Sequence, residues 1–194
     1  MNKTEKYYFK NTKEYIEKTQ NIDMVEEYNF FIKYLDKSVK NTMLDLGFGS
    51  GRDSLFFSEY FDVVSIDSNP KFVQHLKNKK RNIKVYRMKA QRMNFKERFT
   101  AVWAQAILNH FSDDQILKIL NKIYRSLKNK GIVYISLKLD NINSDERYYN
   151  LKSYDEFQLI IDKTDFIVLD KKYSVSRTTS ENWLSIILQK DVRI

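Results

Sequence analysis

Apolar positions recur along this chain with two different periods, and the order in which the periods switch predicts its architecture. The first forty residues read as two helices, about 3–20 and 23–36, the second with Val25, Tyr28, Phe31, Ile32 and Leu35 at helical spacing. From Thr42 onward, short apolar runs of strand length take turns with helical stretches. Thr42–Leu46 reads as a strand, Asp53–Tyr60 as a helix and Asp62–Ile66 as a strand. Lys71–Asn78 reads as a helix opened by Asn69-Pro70, which puts proline at the first helical position. Ile83–Arg87 and Ala101–Ala104 follow as strands. Asp113–Leu127 carries Ile116, Leu117, Leu120, Ile123, Tyr124 and Leu127 on one stripe, with Ser112 placed to cap it. Gly131 punctuates before a strand at Ile132–Leu139. A helix at Tyr154–Lys163 and two strands near Phe166–Tyr173 and Trp183–Gln189 complete the pattern.

Strand–helix alternation over this length predicts one α/β domain spanning 1–194, with a doubly wound, mostly parallel seven-stranded sheet and helices on both faces. The last two strands follow each other without a helix. So short a connection cannot join parallel neighbours, so they are expected to form an antiparallel hairpin at a sheet edge.

Composition narrows the chemistry. The chain has no cysteine, which removes disulfides, thiolate metal sites and any cysteine nucleophile. It has two histidines, His75 and His110, so no metal site is expected. The longest apolar runs, Ile132–Ile135 and Leu184–Leu188, are strand-length and too short for a membrane span. The segment MNKTEKYYFK lacks an apolar signal core, and a cytoplasmic location is expected. The net charge of +9 is uneven: from Lys71 to Arg98 basic residues crowd together, with Glu97 the sole acid. A solvated basic helix face explains that stretch most simply, with contact to RNA or another polyanion as the alternative.

The glycines carry the sharpest signal. Of four in the chain, three fall in MLDLGFGSGRD, at Gly47, Gly49 and Gly51. That placement predicts a turn from the first strand into a helix where side chains would collide, at the strand end where open α/β sheets bind ligands. The phosphate loop is excluded, because no Lys-Ser/Thr follows the last glycine. The dinucleotide fingerprint fits poorly, because Arg52 stands at its sixth position. Asp45, two residues before Gly47, would repel a diphosphate and suit a ligand with a cationic group. Asp67 ends the second strand twenty positions after Gly47, where a carboxylate can accept hydrogen bonds from both hydroxyls of a ribose.

In these motifs the run from Thr42 to about Leu139 resembles the class I S-adenosylmethionine-dependent methyltransferase family. MLDLGFGSGRDSLFF is similar to its first motif, VVSIDSNPKFVQHLK to its second, FTAVWAQAILNHF to its fourth and LKNKGIVYISLK to the strand that follows. The resemblance implies a Rossmann-like fold, S-adenosylmethionine as cofactor and S-adenosylhomocysteine as product. It places Asp45 near the methionine amine, and Gly47, Gly49, Gly51 and Arg52 around the methionine and ribose. Asp67 would hold the ribose, Ser68 and Asn69 would lie beside the adenine, and Lys89, Ala90 and Gln91 would flank it. Ala104 and Gln105 would face the reactive end. The sequence departs from the family where Phe48 replaces a small residue and where no Asp follows the third strand. SRTTSENWLSIIL is similar to the tail of a bacterial small-molecule-type subgroup.

The aromatic N-terminal segment, with Tyr7, Tyr8, Phe9 and Tyr15, resembles the helix that closes over the cofactor, so residues 1–40 are expected to form a cap with Tyr8 and Tyr15 at the site. Ordinary core packing is the alternative. His110 is expected to orient the acceptor or to act as its base, with Asn109 beside it; packing against the next helix is the alternative. Arg147, Tyr149 and Arg177 are expected to meet an anionic or aromatic acceptor at the sheet rim. No Asn/Asp-Pro-Pro-Tyr/Phe motif is present; AQAI stands in its place. A small-molecule acceptor is preferred, for a monomer or homodimer. The alternatives are RNA or protein methylation, or a non-catalytic cofactor-binding protein.

Overall fold

The structure, a computed structural model, describes residues 1–79, 83–140, 146–176 and 179–191. Three short helices come first: α1 (Lys3–Lys10), α2 (Thr12–Thr19) and α3 (Val25–Ile32). Strands and helices then alternate as β1 (Thr42–Leu46), α4 (Arg52–Phe57), β2 (Asp62–Asp67), α5 (Pro70–Lys79), β3 (Lys84–Arg87), β4 (Phe99–Ala104), α6 (Asp113–Ser126) and β5 (Leu127–Lys138). The tail forms α7 (Tyr154–Ile161), β6 (Phe166–Val175) and β7 (Asn182–Lys190). The seven strands lie in the order β3-β2-β1-β4-β5-β7-β6. β1 to β5 pair in parallel, while β7 runs antiparallel between β5 and β6. The chain crosses from β3 back to β4 beside β1, so the order reverses between β1 and β4, where such sheets open a crevice at their carboxyl ends.

Each sheet face buries its own core. On one side Ile116, Ile119, Leu120 and Ile123 of α6 and Phe157, Ile160 and Ile161 of α7 pack on Leu44, Val102, Val133 and Ile186. A capping box, Ser112 with Gln115, starts α6. On the other side Tyr28 and Phe31 of α3, Phe57 of α4 and Phe72, Val73 and Leu76 of α5 cover Met43, Val63, Trp103 and Tyr134. Phe48 turns into this second core at 5% exposure, so the glycine turn accommodates a bulky residue there.

Three boundaries differ from the sequence expectation. The helix expected at 3–20 breaks at Asn11, whose ψ of 22° leaves the helical range while its side-chain amide donates to the Tyr7 carbonyl. The helix expected at 23–36 closes at Ile32. β5 begins at Leu127 rather than beyond Gly131, because Leu127 pairs with Phe99 across an irregularity in the β4–β5 ladder. At Gly131 a Cβ would stand 2.9 Å from the Lys128 carbonyl oxygen, so this glycine permits a close backbone approach inside the strand.

Candidate active site

The turn after β1 is built on left-handed backbone. Gly47 has φ +74°, and a Cβ there would stand 2.2 Å from Cδ1 of Ile107; Gly49 has φ +55° and lies under the ring of Tyr15. The backbone at Gly47 therefore favours glycine, and a Cβ there would also force the Ile107 side chain to move. Asp67, at the end of β2, faces the turn: its Oδ2 accepts from the Gly49 amide at 3.1 Å and its Oδ1 from the Asn69 amide at 2.8 Å. Burial pushes this carboxyl up to about 6, against the pull of the amides of Asn69, Gly49 and Ser68.

Two cavities meet at this turn. The first, about 370 Å³, is lined by Gly47, Gly49, Asp67, Ser68, Asn69, Ala90 and Gln91, by apolar Ile66, Pro70, Met88 and Ile107, and by Tyr8, Tyr15, Gln105 and His110. The second, about 600 Å³, runs towards β5 and β7 and is lined by Glu27, Arg52, Asp53, Tyr134, Ser136, Trp183 and Ser185 among others. Tyr15, Gly47, Gln105 and Ala106 belong to both walls. Gln105 Oε1 is buried there without a hydrogen-bond partner. Such an acceptor is costly unless something donates to it. Ala106 holds φ +54°, unusual for a residue with a Cβ, and its amide donates to Ser136 Oγ at 2.8 Å.

The N-terminal helices close over the first cavity. Asn69 donates its side-chain amide to the Tyr8 carbonyl and to Thr12 Oγ1, Lys71 donates to the Phe9 carbonyl, and Lys89 pairs with Glu5 at 2.6 Å. Tyr8 and Tyr15 meet edge to face with centroids 5.1 Å apart. His110 lies in a 3-10 turn, Leu108–His110, beyond β4. Its Nε2 is 3.0 Å from the Tyr8 hydroxyl and its Nδ1 2.8 Å from the Tyr148 carbonyl. Arg147 donates to the Tyr8 hydroxyl at 2.8 Å and lies over the rings of Tyr7, Tyr8 and Tyr149. Tyr149 packs on His110 with centroids 5.1 Å apart and beneath the Lys138 ammonium, which forms a buried pair with Glu181 at 2.6 Å.

Other residues expected at the site stand behind it. Asp45 is 2% exposed, lines neither cavity and accepts from Ser54 Oγ at 2.5 Å, with Ser65 Oγ next in the chain at 2.7 Å. Burial and the neighbouring Asp53 charge raise its pKa well above the carboxylate range. Arg52 lines the second cavity, but its guanidinium is held by Asp53 at 2.6 and 3.0 Å. Gly51 turns the chain into α4 in left-handed backbone. Ala104 is fully buried in the sheet. Asn109 braces the fold instead of facing a ligand: its Nδ2 donates to the Lys138 carbonyl at 3.0 Å and its Oδ1 accepts the Lys138 amide at 2.8 Å. Arg177 lies outside the described residues.

Sequence reasoning missed two features. Asp53 is a buried hub that accepts from Tyr28 (2.6 Å), Trp103 (2.9 Å) and Arg52. The signal was Trp103, whose N–H in a buried strand needs an acceptor on the helix above it. Ser136 and Ser185 sit opposite each other within the apolar runs at the centres of β5 and β7, and that break in the two runs was the signal for them.

A glycine cradle, a carboxylate able to take a vicinal diol and a cap of aromatic helices define a nucleoside-binding α/β domain. Residues 43–131 match the family model described as a methyltransferase domain, and the fold is shared with solved S-adenosylmethionine-dependent methyltransferases. Similar solved structures include the 1,6-didemethyltoxoflavin N1-methyltransferase of Burkholderia thailandensis, solved with 1,6-didemethyltoxoflavin and S-adenosylhomocysteine (18% identity, TM-score 0.68, covering 80% of this chain and 73% of that one). A S-adenosylmethionine-dependent methyltransferase of Methanosarcina mazei is similar over 84% of this chain and 97% of its own (17% identity, TM-score 0.71). The cyclase SpnF is similar over 87% of this chain and 81% of its own (15% identity, TM-score 0.70). At these identities the likeness is one of fold. No curated protein matches the sequence. Among the described residues no helix is long and apolar enough to cross a membrane, and no group of His, Asp and Glu could hold a metal ion.

The residues present would fit S-adenosylmethionine: Gln105 Oε1 is a buried acceptor that an ammonium could satisfy, Gly47 and Gly49 would let a ligand approach the backbone, and Asp67 would have acceptor capacity for ribose hydroxyls.

Proposed function

We propose that the protein transfers a methyl group from S-adenosylmethionine to a small-molecule acceptor. The observation that carries this reading is the pair of adjoining cavities sharing Tyr15, Gly47, Gln105 and Ala106, one suited to a nucleoside and the other roomier. When bound, S-adenosylmethionine would supply an electrophilic methyl group and a sulfur that takes up the displaced electron pair. The chain's own residues supply position and exclude water. Residues 1–40 act as the cap, with Tyr8 and Tyr15 over the cofactor. Asp67 fixes the ribose, and Ser68, Asn69, Ala90 and Gln91 frame the base.

His110 takes the acceptor's proton where the acceptor must lose one. A carbonyl only accepts hydrogen bonds, so Nδ1 carries the ring proton towards Tyr148 and Nε2 is the basic nitrogen. Tyr8, between Nε2 and Arg147, relays the proton or yields its place to the acceptor. Arg147 and Tyr149 act at this rim through Tyr8 and His110.

Calorimetric titration with S-adenosylmethionine and S-adenosylhomocysteine, with NAD as control, tests the reading on wild type and Asp67→Ala. Micromolar binding of the first two that is lost in the variant is expected; a wild type that binds neither overturns it. RNA as acceptor is favoured by the exposed Lys84, Arg87, Lys89, Arg92 and Lys96 at and beyond the β3 edge. Methyl incorporation into RNA, with binding that survives moderate salt, would select it, since phosphate contacts alone weaken steeply.

A further inference from the structure

We infer that the larger cavity is the acceptor chamber and that Glu27 on α3 selects an acceptor bearing a protonated amine or guanidinium. The inference rests on the methyl-transfer reading above and names the substrate class of that same site. It follows from the charges around the 600 Å³ cavity. Two of these cancel each other, since Arg52 is held by Asp53. Lys18 is held by Glu14 at 2.6 Å, Glu26 by Lys172 at 3.2 Å, and Asp23 takes the Val25 amide at 2.9 Å. Glu27 is half-buried, and no described residue donates to it or pairs with it. Its charge reaches Tyr134 at the cavity floor, where it adds to burial in raising the phenol's pKa.

The hydroxyls of Tyr134, Ser136 and Ser185 line the same chamber as Glu27. Tyr134 and Ser185 bond at 2.9 Å, and Ser136 stands opposite Ser185 in the ladder. An occupant that displaces water from this chamber leaves the Glu27 carboxylate desolvated. An anionic or apolar occupant would leave it without a counter-charge, whereas a cationic nitrogen would satisfy it. The chamber opens to the cofactor cavity at Gln105 and Ala106, so a ligand held by Glu27 at one end presents its other end to the transfer site.

The test is titration of wild type loaded with S-adenosylhomocysteine, using tyramine, agmatine and spermidine, and 3-(4-hydroxyphenyl)propionate as the acid matched to tyramine. At least one amine is expected to bind and the acid is not. Glu27→Gln is expected to weaken amine binding by about tenfold or more, and Glu27→Asp by less. Affinity for S-adenosylhomocysteine is expected to stay within about twofold in both variants. The inference is overturned if none of the amines binds the loaded protein, if the acid binds as well, or if Glu27→Gln binds amines as wild type does. Loss of S-adenosylhomocysteine affinity in Glu27→Gln would also overturn it, by making Glu27 a cofactor residue. Failure of wild type to bind S-adenosylhomocysteine at all shows in the first titration and removes the methyl-transfer reading itself.

Discussion

The hydroxyl of Tyr8, on the first helix, lies 3.0 Å from Nε2 of His110, 102 positions further along the chain. With Arg147 donating to the same hydroxyl and Tyr148 accepting from Nδ1, this contact joins α1, the turn after β4 and the loop after β5 in one chain of hydrogen bonds. The Tyr148 carbonyl thereby sets the tautomer of the imidazole at the site, and Tyr8 of the cap holds its orientation. We predict that His110→Ala lowers the methyl-transfer rate by about 10²–10⁴ and removes the acidic limb of the rate–pH profile. Tyr8→Phe should keep that limb while lowering the rate. Rates equal to wild type across pH in His110→Ala would end the base assignment.

Asp67 predicts a pH dependence of cofactor binding. Its carboxyl is raised to about 6, and ribose hydroxyls donate to the charged form. Binding must therefore expel the proton below that pH, so affinity should fall about tenfold per unit under pH 6 and level off above it. Asp67→Asn should bind more weakly and without this slope. Calorimetry at pH 5, 6 and 8 measures both.

Asp45 predicts the opposite of ordinary acid denaturation. A carboxyl whose pKa is raised by folding, here to about 8, binds more protons folded than unfolded. The stability it contributes is full below the unfolded carboxylate range near pH 4 and is lost as pH rises through the folded value. Asp45→Asn keeps an acceptor for Ser54 without a charge. The difference in Tm between Asp45→Asn and wild type should thus move in the variant's favour from pH 5 to pH 8, and a difference constant with pH would contradict the buried, protonated assignment.

Asp53 holds three elements at once through Tyr28, Trp103 and Arg52. Asp53→Ala leaves the mostly buried Arg52 guanidinium and the Trp103 N–H without their partner. A destabilisation of about 3–5 kcal/mol is expected in urea unfolding. A loss under about 1 kcal/mol would mean that water replaces the hub and that α3 is anchored by packing alone.

Much of this protein was legible in its sequence because local patterns and local sterics determine it. The strand–helix alternation set the sheet, and the pairing of the last two strands followed from their short connection. Three glycines in five residues marked the turn, because φ values of +74°, +55° and +81° are costly for any residue with a Cβ. Asp67 at the end of β2 was legible for the same reason: strand ends and ligand crevices coincide by topology.

Tertiary structure alone decided which polar groups face the crevice and which are used up behind it. Asn109 neighbours His110 in sequence, yet its amide is taken by the backbone of Lys138; Asp45 precedes the glycines, yet it turns towards Ser54. Glu27 reads as one more charge on an amphipathic helix, yet among the described residues it has no partner beside Tyr134. A side chain's partners come from elements far away in sequence, so its free acceptors and donors are a property of the packed fold. The sequence determined where the cofactor crevice is; the packing decided which residues remain available to act in it.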